Sequence, residues 1–141
     1  MSPEVALEFL NEYFTAMHDV IKEFNGHILN YIGDSIMVVF GAPEKLKNHE
    51  NQAVKCSLKM KEKLKELNRK WDEDETSRYW KNHNIDSITM RIGIHTGSVI
   101  AGNLGSQEML QYSTIGDTVN VSARLEHCLL YTSDAADDLG R

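Results

Sequence analysis

Hydrophobic positions recur at three- and four-residue spacing near the start of the chain: Val5, Phe9, Leu10, Tyr13, Met17, Val20, Ile21 and Phe24. That period places one apolar stripe on an amphipathic helix of about six turns. Ser2, Pro3 and Glu4 supply its start: a hydroxyl N-cap, a proline at the first helical position and an acid facing the dipole. Gly26 is its expected stop. HILNYI and SIMVVF follow as two short β-rich runs around Gly33-Asp34, a pair expected at a tight hairpin turn with glycine in the first central position, and Pro43 closes the hairpin. Ala53, Cys56, Met60, Leu64, Leu67 and Trp71 then form one stripe of a second helix running from near Asn48 to Trp71. Cys56 lies on that stripe, which predicts a buried, inert thiol.

Residues 72–86 have no period and read as a long surface loop in which Tyr79 and Trp80 pack locally. SITMRIGIHT and SVIAGNLG predict strands around Gly97, and QYSTI predicts a further short strand. Gly116-Asp117 then opens a third helix through His127, with Asp117 as its N-cap. Helix, strand, strand, helix, strand, strand and a short helix suit an α+β, ferredoxin-like (split βαβ) layer whose first strand is missing. Because that strand would lie in the interior of the sheet, the sequence reads as cut rather than trimmed at an edge.

Composition narrows the chemistry. With 141 residues, 41% hydrophobic and 26% charged, the chain suits a single soluble domain. It has no apolar run near the roughly 20 residues of a membrane span and no secretory signal at its start. Fifteen basic against 21 acidic residues, a net charge of −6, argue against nucleic acid or an anionic membrane as partner, so a phosphate ligand would need help from cations. Cys56 and Cys128 form neither a CxxC nor a metal spacing, as expected of a cytoplasmic protein. The six histidines are scattered without ligand spacing, and His95 is expected to be a satisfied core or hairpin residue. Gly93, Gly97, Gly102 and Gly105 are expected to serve tight turns and close strand packing.

The segment LLYTSDAADDLGR abandons every pattern before it. Cys128 to Asp137 back-translates as TGT CTC TTA TAC ACA TCT GAC GCT GCC GAC, which resembles the transposon-end adapter of sequencing libraries. Residues 128–141 are therefore expected to be a non-native tail. Without residues 129–141 the chain keeps 14 basic and 18 acidic residues, a net −4, and stays acidic.

Three blocks, NYIGDSIMVVFGAP, RIGIHTGSVIAGNLG and YSTIGDTVNVSARLE, resemble in order and separation the catalytic domain of the class III adenylate and guanylate cyclases, across residues 2–127. The resemblance implies conversion of ATP to 3′,5′-cyclic AMP and pyrophosphate with two Mg²⁺ or Mn²⁺ ions, in intracellular signalling. It places Asp34, otherwise a plain turn residue, on the second of the family's two metal-binding aspartates. Hard cations want carboxylate and phosphate oxygens, so an acidic protein would meet its nucleotide through the metal. It also places Asn120 and Arg124, otherwise an exposed helix face, where the ribose is oriented and charge on the α-phosphate is stabilised. The family's other aspartate belongs to a phenylalanine-x-Asp block that precedes Ser2, and its triphosphate-binding lysine lies beyond residue 127; this sequence contains neither.

The purine-reading positions are Asn30 and Ser113, where adenylate cyclases commonly carry Lys with Asp or Thr and guanylate cyclases Glu with Cys. Asn and Ser each donate and accept, so ATP is favoured only because Ser113 is closer to the threonine type, and GTP stays open. In the family, the metal aspartates come from one subunit and the purine, Asn and Arg positions from its partner. One chain carrying both sets predicts a head-to-tail homodimer. The alternative, motivated by Asn30, is a cyclase-like module that binds nucleotide or dimerises without catalysis. Any membrane anchor would belong to other parts of the parent protein. The 141-residue chain alone, lacking an interior strand and one metal ligand, is expected to be poorly folded and to form no cyclic nucleotide. Robust cyclic AMP production from it would overturn that expectation.

Overall fold

The computed structural model describes residues 2–98, 100–106, 109–115 and 120–126. The tail after residue 127, Asp117 and Cys128 lie outside the described residues. Two long helices, α1 (Pro3–Glu23) and α2 (His49–Glu73), pack together with a helical turn, α3 (Arg78–Lys81), against one side of a hairpin formed by β1 (His27–Ile32) and β2 (Ser35–Val39). A second antiparallel hairpin, β3 (Ile100–Ser106) and β4 (Met109–Ile115), follows, with β4 touching β1. A further helical segment, 120–126, ends the described chain. None of the described helices is long and apolar enough to cross a membrane.

The predicted stripes become the core. Ala16, Met17, Val20 and Ile21 of α1 meet Cys56, Leu64, Leu67 and Trp71 of α2, and Ile28, Ile36, Val38 and Phe40 of the hairpin cover them from the sheet side. Glu12 fastens the two helices, its carboxylate accepting from the Trp71 indole Nε1 and the Lys70 ammonium. Burial pushes the Cys56 thiol up to about 11, with the charge of Glu23 adding to the effect, so the thiol is inert as expected.

Three expectations are corrected. First, Asn25 rather than Gly26 turns the chain out of α1: it takes the left-handed conformation (φ 63°), while its N–H bonds Lys22 and the Gly26 N–H bonds Ile21, a Schellman closure. Gly26 is needed for space, since a Cβ there would sit 2.8 Å from Ile21 Cγ2 and 3.0 Å from the Phe40 ring. Second, the 72–86 region is not a plain surface loop. α2 runs on to Glu73, and α3 sinks Trp80 into the core, its ring 5.6 Å from Trp71 and 5.3 Å from Phe9. An isolated aromatic in a polar run leaves no periodic mark, and tertiary burial decides its place.

Third, SITMRIGIHT forms no ladder with another described strand. A ladder needs a neighbouring strand, and the described strands pair only as β1 with β2 and β3 with β4. The Asn68 side chain on α2 bonds both backbone groups of Ile88: Nδ2 donates to the Ile88 carbonyl (2.9 Å) and Oδ1 accepts from the Ile88 N–H (3.0 Å). His95, expected in the core or a hairpin, is exposed in this segment.

The first hairpin turn forms as predicted. Ile32 pairs with Ser35, leaving Gly33 at φ 58° in the first central position, and a Cβ there would meet nothing within 4 Å. Gly33→Ala should cost about 1–2 kcal/mol through the backbone alone, and Gly33→Asn less. Gly26→Ala should cost about 1–3 kcal/mol through overpacking instead, so an asparagine there gives no relief. Hydrogen exchange over residues 27–39 of the full-length polypeptide would distinguish the two.

Candidate active site

Asp34 occupies the exposed tip of the first hairpin, and no cation pairs with it among the described residues. Its charge reaches Tyr13 on α1: burial raises the Tyr13 phenol above its usual value, and the nearby Asp34 carboxylate raises it further.

Asn30 is placed by a β-bulge. The pairing of β1 with β2 shifts between Ile28 and Asn30, so that Ile28 opposes Val38, Asn30 opposes Met37 and Tyr31 opposes Ile36. Ile28, Val38 and Ile36 pack on the helices, and Tyr31 stacks on Phe14 of α1 at 4.7 Å. Asn30 and Met37 therefore belong to the opposite face of the hairpin. Without the bulge, strict alternation from Ile28 would have turned Asn30 toward the helices. Ser113 lies on β4 opposite Gly102, and β4 contacts β1, so the strands carrying the two purine-reading candidates are neighbours.

Asn120 and Arg124 lie one turn apart on segment 120–126, both exposed. The segment rests on residues that sequence reading did not single out for this purpose. A Cβ on Gly93 would sit 2.4 Å from the Ser122 carbonyl oxygen and 2.6 Å from the Glu126 nitrogen, so helix backbone lies directly against the glycine. Arg91 Nη2 pairs with Glu126 Oε1 at 3.0 Å. Gly93 thus serves helix packing rather than strand packing. The spacing of Arg91 and Gly93 in RIG was visible in the sequence, but the partner helix was not.

No hydrogen bond or ion pair among the described residues joins Asn30, Asp34, Asn120 and Arg124 to one another, and no group of three His, Cys, Asp or Glu gathers among them. Asp34 still suits a hard cation: it is an exposed carboxylate with no ion pair among the described residues, and Mg²⁺ is commonly held by one or two carboxylates with the rest of its shell from phosphates and water.

Tyr13 gives a readout of the Asp34 charge. A phenol whose folded value is raised favours folding fully below about pH 10, and that contribution is lost as pH rises from there through the folded value. Asp34→Asn should bring the Tyr13 titration part of the way back, leaving the shift due to burial. Ultraviolet titration against a Tyr13→Phe background measures it.

The sequence model of the adenylate and guanylate cyclase catalytic domain matches residues 1–130. Adenylate cyclase 1 of Rhizobium meliloti is 34% identical over 125 residues, 89% of this chain and 17% of that protein. Receptor-type guanylate cyclase gcy-28 of Caenorhabditis elegans is also 34% identical over 125 residues, 89% of this chain and 9% of that one. Among solved structures, the guanylyl cyclase Cya2 aligns with a TM-score of 0.76 at 35% identity, covering 90% of this chain and 60% of its own. The adenylyl cyclase CyaB from P. aeruginosa aligns at 0.75 and 29% identity, covering 91% and 62%. The chain thus spans less than a fifth of either curated relative and under two thirds of either solved one. With sequence and fold agreeing over nearly its whole described length, this chain belongs to the adenylate and guanylate cyclase catalytic-domain family.

Proposed function

We propose that this chain is catalytic-domain sequence of a cytoplasmic nucleotidyl cyclase that acts on ATP in intracellular signalling. The ribose 3′-oxygen attacks the α-phosphorus, the bond to the bridging oxygen of pyrophosphate breaks, and the hydroxyl proton passes to solvent, giving cyclic AMP and pyrophosphate. Arg124 supplies a planar cationic donor for the charge that grows on the α-phosphate oxygens, and Asn120 orients the ribose beside it. The observation that carries this reading is that both side chains occupy one exposed face of a helix seated on the glycine of the preceding family block.

Asp34 offers its carboxylate to a divalent cation, Mg²⁺ or Mn²⁺, of which the family pattern calls for two. When bound, such ions would acidify the 3′-hydroxyl and neutralise the leaving pyrophosphate. That one chain carries both Asp34 and the Asn120/Arg124 pair supports a head-to-tail homodimer, in which each site draws on both subunits. ATP is preferred over GTP because Ser113, like threonine, offers a hydroxyl that both donates and accepts, and Asn30 lacks the carboxylate expected of a guanine reader.

Assays of the parent protein, with its complete catalytic domain, on ATP and GTP, each with Mg²⁺ and Mn²⁺, should give cyclic AMP as the main product. Arg124→Ala and Asp34→Ala should each lower kcat roughly 10²–10³-fold. Asn30→Glu combined with Ser113→Cys should raise the ratio of GTP to ATP turnover. A folded dimer that makes neither cyclic nucleotide would overturn the catalytic reading and favour a nucleotide-binding or dimerisation module.

A further inference from the structure

We propose that Arg91, Gly93 and Glu126 are positioning residues that hold Asn120 and Arg124 at the angle catalysis requires, an inference that rests on the catalytic reading of Arg124. Segment 120–126 is helical, and most helical stability in a protein comes from tertiary packing rather than from propensity. Its place must therefore come from what it touches. Two pairs of positions interleave along it: Ser122 and Glu126 are four apart on one face, and Asn120 and Arg124 are four apart on the other.

The first pair is the docking face. The Ser122 carbonyl and the Glu126 nitrogen close on Gly93, at 2.4 and 2.6 Å from where a Cβ would stand, and the neighbouring Glu126 Cα is at 3.1 Å. These are backbone atoms, so no rotamer change could relieve a side chain added at Gly93. The Arg91 guanidinium then grips the Glu126 carboxylate at 3.0 Å, with 34% and 30% of the two side chains exposed. Arg91 and Gly93 both meet Glu126 and so face the same helix. Contact at Gly93 sets the height of the helix, and the ion pair sets its rotation. Both leave Asn120 and Arg124 turned outward.

A guanidinium that stabilises transition-state charge loses effect when displaced by an ångström or so, which costs up to about a hundredfold in rate. The loss falls on kcat rather than KM, because the interaction strengthens only in the transition state.

The test uses the parent protein, with its complete catalytic domain, with ATP and Mg²⁺ and with rates normalised to folded protein. Glu126→Gln and Arg91→Glu should each lower kcat about tenfold or more while KM changes less than threefold. The charge-swapped double variant, Arg91→Glu with Glu126→Arg, should recover most of the loss, a rescue that a general structural role would not give. Gly93→Ala should add faster hydrogen exchange over residues 120–126. If kcat per folded protein stays within twofold in the single variants while Arg124→Ala is impaired, or if the swap restores nothing, the positioning role is wrong. If Arg124→Ala itself turns over normally, the catalytic reading fails first, and the two failures are told apart.

Discussion

Everything described here leans on the contact between α1 and α2. Met17, Ile21 and Trp71 are fully buried at or beside it, and Glu12 ties the helices together at the Trp71 indole. Apart from that tie its buried residues are apolar, and the inner face of the β1–β2 hairpin meets them with a second apolar surface through Ile28, Ile36 and Val38. Once that face is committed to the helices, Asn30 and Met37 lie on the other face of the hairpin.

The candidate site is built on what this core leaves exposed. The hairpin turn carries Asp34 beyond the helix layer, close enough to α1 for its charge to bear on Tyr13. The bulge in β1 brings Asn30 to the outer face. The extended segment before β3, tied to α2 by the Asn68 amide, presents Arg91 and Gly93 to the helix that bears Asn120 and Arg124. One polar side chain thus links the helix layer to the segment on which the helix of Asn120 and Arg124 rests.

Much of this was legible beforehand where a periodic rule applies. The stripes of α1 and α2 predicted the buried residues, including Cys56, because a 3.6-residue repeat needs no knowledge of the rest of the chain. Gly33-Asp34 predicted its turn because the demand for positive φ is local. Trp80 was not legible, since its burial depends on a cleft made by Phe9 and Trp71, residues distant in sequence. The segment around residue 90 misled for a related reason: β-rich composition marks an extended chain, but a strand also requires a neighbour to pair with.

The sequence by itself determined the two helices, the first hairpin, the family, and the residue types at Asp34, Asn120 and Arg124, all of which rest on local spacing or on motif blocks. Tertiary structure decided which side of the sheet Asn30 occupies, that Asn25 rather than Gly26 ends α1, and that Gly93 and Arg91 serve as the seat of a helix some thirty residues further on. Each of these depends on atoms brought together from separate elements. A glycine conserves no trace of what approaches it, and a bulge is defined only by the strand across from it.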